Sequence, residues 1–182
     1  MKHLFAIILF LCSANLFAQE IKYDGNGPKT GFKVLVEGGY TQGAGLYGEE
    51  RVSLMASAGY YFNSHILLGI GSGENYYTES KKYSIPLYCV FRANLLNNSI
   101  SPFLDIKGGY SIGDIKGLFL APSIGARWMI GDVIAFTTSI GYELQRTDCL
   151  NAIIDLNNSN NINVNQNKKN LGALSVKVGF EF

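Results

Sequence analysis

Histidine is almost missing from this chain: His3 and His65 are the only two. Hydroxyl and thiol nucleophiles commonly depend on an imidazole as their general base. His3 belongs to an N-terminal leader and His65 to a short turn between strands, so neither is placed to serve one. No serine or threonine stands out beside a carboxylate that would substitute for it. Cysteine is nearly as scarce, at three. Cys12 lies in the leader, which leaves Cys89 in a strand pattern and Cys149 in a polar loop. Two cysteines permit one pairing and nothing brings them together, so a disulfide framework is not the organising device. No His/Cys cluster has metal-ligand spacing. The expectation is a protein without catalytic residues, cofactor or metal.

Charge and long apolar runs are also in short supply. Charged residues make up 16% of the chain. Losing the leader takes only Lys2 from the 15 basic residues, leaving 14 against 14 acidic ones. That balance argues against nucleic acid as a partner. Beyond residue 18 no apolar run approaches the roughly 20 residues that a membrane-spanning helix needs. The leader has the three-part plan of a secretory signal: a basic start at Met1-Lys2-His3, an unbroken apolar run from Leu4 to Cys12, and a cleavage region ending at Ala18. Leu11 before Cys12 disfavours a lipoprotein signal, where that residue is normally small. The expected division is a signal peptide at 1–18, a periplasmic N-terminal extension at 19–31 and one domain at 32–182.

What the chain does have is glycine (21), tyrosine (11) and phenylalanine (11). They fall in eight segments where apolar and polar residues alternate, the period of a strand with two different faces. The segments are roughly 32–42, 51–62, 66–74, 84–95, 102–112, 117–130, 133–145 and 171–182. Short turns at 63–65, 96–101 and 131–132 alternate with mostly longer, more polar loops at 43–50, 75–83, 113–116 and 146–170. The last of these is rich in asparagine and reads as a polar loop. Within the strands the charges Lys33, Glu37, Arg51, Arg92, Asp105, Lys107, Arg127, Glu143, Lys177 and Glu181 take the parity opposite the apolar rows. Every strand charge is expected to avoid the apolar face. A basic residue facing mid-bilayer lipid costs roughly 2–4 kcal/mol, so a charge-free face suits lipid.

The aromatics sort by height once the first strand is taken to run up from the periplasm. Phe32, Tyr60, Phe62, Trp128, Phe180 and Phe182 fall near one boundary. Tyr40, Tyr110 and Tyr142 fall near the other. Two aromatic belts mark the two membrane–water interfaces.

Three stretches carry a family resemblance: Gly108-Gly-Tyr-Ser-Ile-Gly113, Ala121-Pro-Ser-Ile-Gly-Ala-Arg127 and the terminal Val176-Lys-Val-Gly-Phe-Glu-Phe182. With the leader, they make the chain resemble the small eight-stranded outer-membrane β-barrel superfamily, OmpX-like and porin-family domains among them. The resemblance implies an all-β fold, a closed up-and-down antiparallel transmembrane barrel of eight strands, exported through a Sec-type signal to a bacterial outer membrane. It also implies that Val176, Val178, Phe180 and Phe182 form the C-terminal insertion signal. Partners would then be outer-membrane lipid, lipopolysaccharide and the barrel-assembly machinery, with any surface ligand unknown. The superfamily carries many functions on one barrel, so activity does not follow from it.

The ten strand charges, six basic and four acidic, would meet inside such a barrel. Eight strands leave an interior just wide enough for side chains to fill, so a salt-bridged plug is expected, with Asp105 pairing Arg92 or Arg127. The function expected is structural, surface-interacting or envelope-related. A narrow pore or uptake component is the alternative, and a soluble calycin-like ligand-binding barrel is the second. Three tyrosines at 76, 77 and 83 in the loop 75–83 fit either a contact surface or an extended hairpin at the headgroups.

The terminal row generates a test. Deleting Phe182, or Phe182→Asp, is expected to reduce heat-modifiable protein in the outer membrane while export continues. Normal membrane levels of the variant would refute the insertion role.

Overall fold

Alternating residues build strands here because a pleated backbone sends successive side chains to opposite faces. The computed structural model describes residues 30–44, 48–130, 133–154 and 162–182, with side chains of 147–154 and 162–170 excepted. The expected signal at 1–18, nearly all of the extension at 19–31 and the turn at 131–132 lie outside the described residues. Eight strands follow one another: β1 Gly31–Ala44, β2 Arg51–Tyr61, β3 Ile66–Tyr77, β4 Lys82–Asn94, β5 Ile100–Gly113, β6 Gly117–Ile130, β7 Ile134–Ile154 and β8 Ile162–Glu181. Each pairs antiparallel with its sequence neighbour, and β1 pairs with β8, so the sheet closes. Phe182 completes the seam, donating its N–H to Val34 O at 2.9 Å and accepting from Val34 N at 3.2 Å. Closure leaves no open edge along the wall, which is what a sheet in hydrocarbon requires.

Three expectations need correction. The polar loop at 146–170 is largely strand: β7 and β8 stay in register beyond the wall, from Gln145↔Leu171 to Ile154↔Ile162. Pairing propagates out from the rim, and Ile153, Ile154, Ile162 and Val164 supply the β-branched residues that favour it. Cys149 therefore stands in a strand, opposite Asn167. The loop at 75–83 shrinks to a turn at 78–81, because β3 and β4 pair through Tyr76↔Tyr83 and Tyr77↔Lys82. Tyr76 and Tyr83 face out while Tyr77 is buried, so the three tyrosines do not form one contact surface. Finally, not every strand charge avoids the outer face. Glu74 and Arg146 lie on it, exposed, Glu74 near the outer end of β3 and Arg146 where the β6–β7 pairing ends. There they reach the polar headgroup zone, where the cost of a charge falls to about 0–1 kcal/mol.

The wall is inverted relative to a water-soluble barrel. Phe32, Ile70, Ile124, Ile140, Leu174 and Val176 are among many large apolar side chains exposed outside, while Arg51, Arg92 and Arg127 are the largest fully buried ones. A soluble calycin-like barrel requires the opposite parity. Bulky interior rings fit because glycine faces them across the ladder. Phe103 pairs with Gly125 and Tyr88 with Gly71, and a Cβ at either glycine would run into the ring. The Phe103 ring in turn lies 4.2 Å below the Arg92 guanidinium carbon.

Gly125→Val should therefore destabilise the barrel by about 1–3 kcal/mol through overpacking. Gly108→Ala, where the added Cβ meets only Leu120 Cδ1 at 3.6 Å, should be nearly neutral. Urea unfolding in lipid vesicles measures both.

Candidate functional site in the barrel interior

The inward parity of all eight strands converges on one polar interior. Lys33, Glu37, Arg51, Arg92, Asp105, Lys107, Arg127, Glu143, Lys177 and Glu181 all point into it and all are buried. The register then decides which charges meet. Arg92 stands directly across from Asp105, and its Nε and Nη2 donate to Asp105 Oδ2 at 3.0 and 2.7 Å. The same Nη2 reaches Glu37 Oε1 at 3.0 Å, across the lumen in β1. Lys107 Nζ sits between Glu37 Oε2 at 2.9 Å and Asp105 Oδ1 at 3.2 Å. Arg127 forks onto Glu181 Oε1 through Nε and Nη2 at 3.1 and 2.9 Å, and Arg92 Nη1 lies 3.8 Å from Glu181 Oε2. These groups form one linked set, three cations with three carboxylates.

Of the two partners expected for Asp105, Arg92 is the one it meets and Arg127 is not. Register places Arg127 opposite Ser101 and Asp105 opposite Ser123, so Arg127 reaches across the interior to β8 instead.

A second set lies nearer the outer end. Arg51 donates to Glu143 Oε2 through Nη2 at 2.6 Å and Nε at 3.2 Å, and Lys177 Nζ lies 2.6 Å from Glu143 Oε1. Two cations share one carboxylate there. Lys33, at the short-turn end, donates to Val133 O at 3.1 Å.

Neutral side chains complete these sets, and sequence reasoning missed them. Tyr61 donates to Glu181 Oε2 at 3.2 Å and accepts from Asn94 Nδ2 at 3.0 Å. Tyr77 accepts from Arg51 Nη1 at 3.4 Å and donates to Gln145 Oε1 at 2.8 Å. Gln145 Nε2 then holds Ile115 O at 3.1 Å, which ties the β5–β6 turn to the interior. Tyr77, Ile115 and Leu171 form a buried apolar cluster. The signal was parity: Tyr61 shares the face of Arg51, and Gln145 that of Glu143. Tyr77 was hidden by the loop boundary. Beside the polar sets, Leu35, Met55, Leu67, Tyr88, Val90 and Phe119 pack in an apolar cluster.

Outside, the terminal Val176, Val178 and Phe180 are exposed on the wall, with Phe182 half-buried beside them. Phe32, Tyr60 and Phe62 make one run of edge-on rings, with centroids 6.2 and 5.4 Å apart. Trp128, Phe136, Phe180 and Phe182 make another, at 5.9, 5.6 and 6.4 Å. Tyr40, Tyr110 and Tyr142 are exposed on the same wall towards the opposite end. His65 lies in the exposed β2–β3 turn, with Nδ1 3.1 Å from Ser64 Oγ. Asn63 Oδ1 accepts both the His65 and Ile66 N–H at 2.8 Å, which makes this trio a turn device.

No family model and no curated protein sequence matches this chain. Among solved structures it is similar to Neisserial surface protein A, with a TM-score of 0.60 and 11% identity over 84% of this chain and 96% of that one. It is also similar to a de novo designed transmembrane β-barrel, at 0.49 and 14% over 87% and 98%. A third similar structure is the N-terminal β-barrel domain of Pseudomonas aeruginosa OprF, at 0.48 and 12% over 87% and 100%. The neisserial likeness shows the fold alone, that of a small closed antiparallel β-barrel.

Removing one member of a buried ion set leaves its partners uncompensated, at about 3–5 kcal/mol. Glu143→Leu should therefore destabilise by that amount, stranding Arg51 and Lys177. The triple variant Arg51→Met, Glu143→Leu, Lys177→Met should recover most of it. A single-variant cost below about 1 kcal/mol, measured by urea midpoint, would show that these charges are solvated.

Proposed function

We propose that the protein is an integral outer-membrane barrel whose interior is a charge-paired plug, serving a structural and surface-interaction role without transport or catalysis. The observation that carries this is the burial of Arg51, Arg92 and Arg127 at 0% exposure together with Glu143 and Glu181, also at 0%. A water path along the lumen would wet at least some of these side chains. The apolar outer wall and the fold support the membrane setting, and lipopolysaccharide and lipid are the neighbours that such a wall meets. During biogenesis the terminal Val176, Val178, Phe180 and Phe182 row serves as the signal for the barrel-assembly machinery.

The surface part of the role rests on the β7–β8 hairpin. The β6 pairing ends at Gly117↔Thr147 and the β1 pairing at Ala44↔Gly172, while β7 and β8 continue paired to Ile154↔Ile162. Beyond the rim the hairpin therefore presents strand edges not used by the wall, and an extended peptide can add to such an edge.

Purified protein in planar bilayers should show no steady conductance. Reproducible single-channel steps in the wild type would overturn the plug and favour the narrow-pore alternative.

A further inference from the structure

The outer wall is not uniform. Over β5 to β8 it sinks into a groove of about 620 Å³, lined by Leu104, Ile106, Pro122, Ile124, Ile140 and Leu174 among others. Its origin is local. The β6–β7 register runs from Gly117↔Thr147 to Leu120↔Leu144 and resumes at Ser123↔Gly141. Pro122 stands in that interval, on the outward parity, with no N–H to give the ladder. The floor is apolar and faces the hydrocarbon, so its occupant is a hydrocarbon chain.

What lies above the groove makes it more than a dent. Following the outward parity towards the outer end, β6 presents Pro122, Leu120 and Leu118, and β7 presents Ile140, Tyr142 and Leu144. Each row ends in an exposed cation: Lys116 just before β6, and Arg146 on β7, paired across from Leu118. The turn's own acid, Asp114, is turned to the β4 side, where its Oδ2 accepts from Tyr83 N at 3.3 Å, and it is one carboxylate against these two cations. Glu74, the exposed strand acid, stands on β3, across the barrel. From Lys116 to Pro122, or Arg146 to Ile140, is six residues; at ~3.3 Å each and a ~45° tilt, the depth is roughly 14 Å.

We propose that this face is a specific site for a phosphate-bearing, acylated amphiphile of the outer leaflet, its phosphate on Lys116 and Arg146 and one acyl chain in the groove between Pro122 and Ile140. The site deepens the membrane reading above and rests on it. Arg and Lys together suit a phosphate, the first as a fork and the second as a point charge. The apolar rows between them and the groove carry the chain down.

The test uses the full-length barrel folded in detergent micelles, with bis-phosphorylated lipid A as the probe and native mass spectrometry as the readout. The wild type should retain one lipid A. The double variant Lys116→Ala, Arg146→Ala, and separately the groove-filling Ile140→Trp, should each lower retention about tenfold. Leu54→Trp, on the β2 wall, should leave retention unchanged, and inorganic phosphate should not displace the lipid. Equal retention by all variants, or equal retention of dephosphorylated lipid A, would overturn the site in favour of ordinary annular lipid. A folded, heat-modifiable barrel that retains no lipid A overturns this site alone. A chain that cannot be embedded in micelles or vesicles overturns the membrane reading with it.

Discussion

A charge taken out of water has to meet its opposite, and in this barrel the partner nearly always comes from another strand. Arg92 on β4 is held by carboxylates of β5, β1 and β8, and Arg51 on β2 by Glu143 of β7. Among the described residues, only Lys107 with Asp105 pairs within one strand. Such contacts form only when the sheet has closed in the right register. A one-residue slip would carry every charge of a strand to the outer wall. The ion sets therefore specify register and closure more than they add net stability, because desolvating two ions offsets most of their attraction.

The same constraint explains what surrounds the charges. Aromatic hydroxyls at Tyr61 and Tyr77 take up remaining valences of Glu181 and Arg51. The ring of Phe103 lies under Arg92, and it fits only because Gly125 faces it. Outside, nothing polar is required of the wall until the headgroup zone, and there the exposed charges Glu74 and Arg146 stand. One rule of parity thus produces a polar core, an apolar skin and a charged rim.

Most of this architecture was legible in the sequence because a period of two is a strong local signal. Alternation around Arg92, Asp105 and Lys107 located their strands and faces without any knowledge of the partners. The partners themselves were less legible. Arg127 was expected near Asp105, but its counter-ion Glu181 comes from two strands away across the lumen, and sequence spacing does not encode distances across a closed sheet. The long β7–β8 hairpin was hidden for a different reason. Asparagine-rich composition suggests a loop, whereas the β7–β8 pairing of the wall continues outward past Gln145↔Leu171, carrying weak strand formers such as asparagine along with the β-branched residues near its tip. Tyr77 was lost because it stands three residues beyond the boundary assigned to its strand. The groove between Pro122 and Ile140 had no sequence signal beyond a proline in a strand.

The central claim is that the apolar wall meets hydrocarbon while the charges stay inside. The chain carries its own reporter, since Trp128 is the only tryptophan and stands on the outer wall against Phe136, which joins it to the terminal aromatic row. Refolded into vesicles whose acyl chains carry bromine at graded depths, the protein should show Trp128 fluorescence quenched most by the shallow bromines and hardly by aqueous acrylamide. Efficient acrylamide quenching with no effect of brominated lipid would place the wall in water and contradict the account.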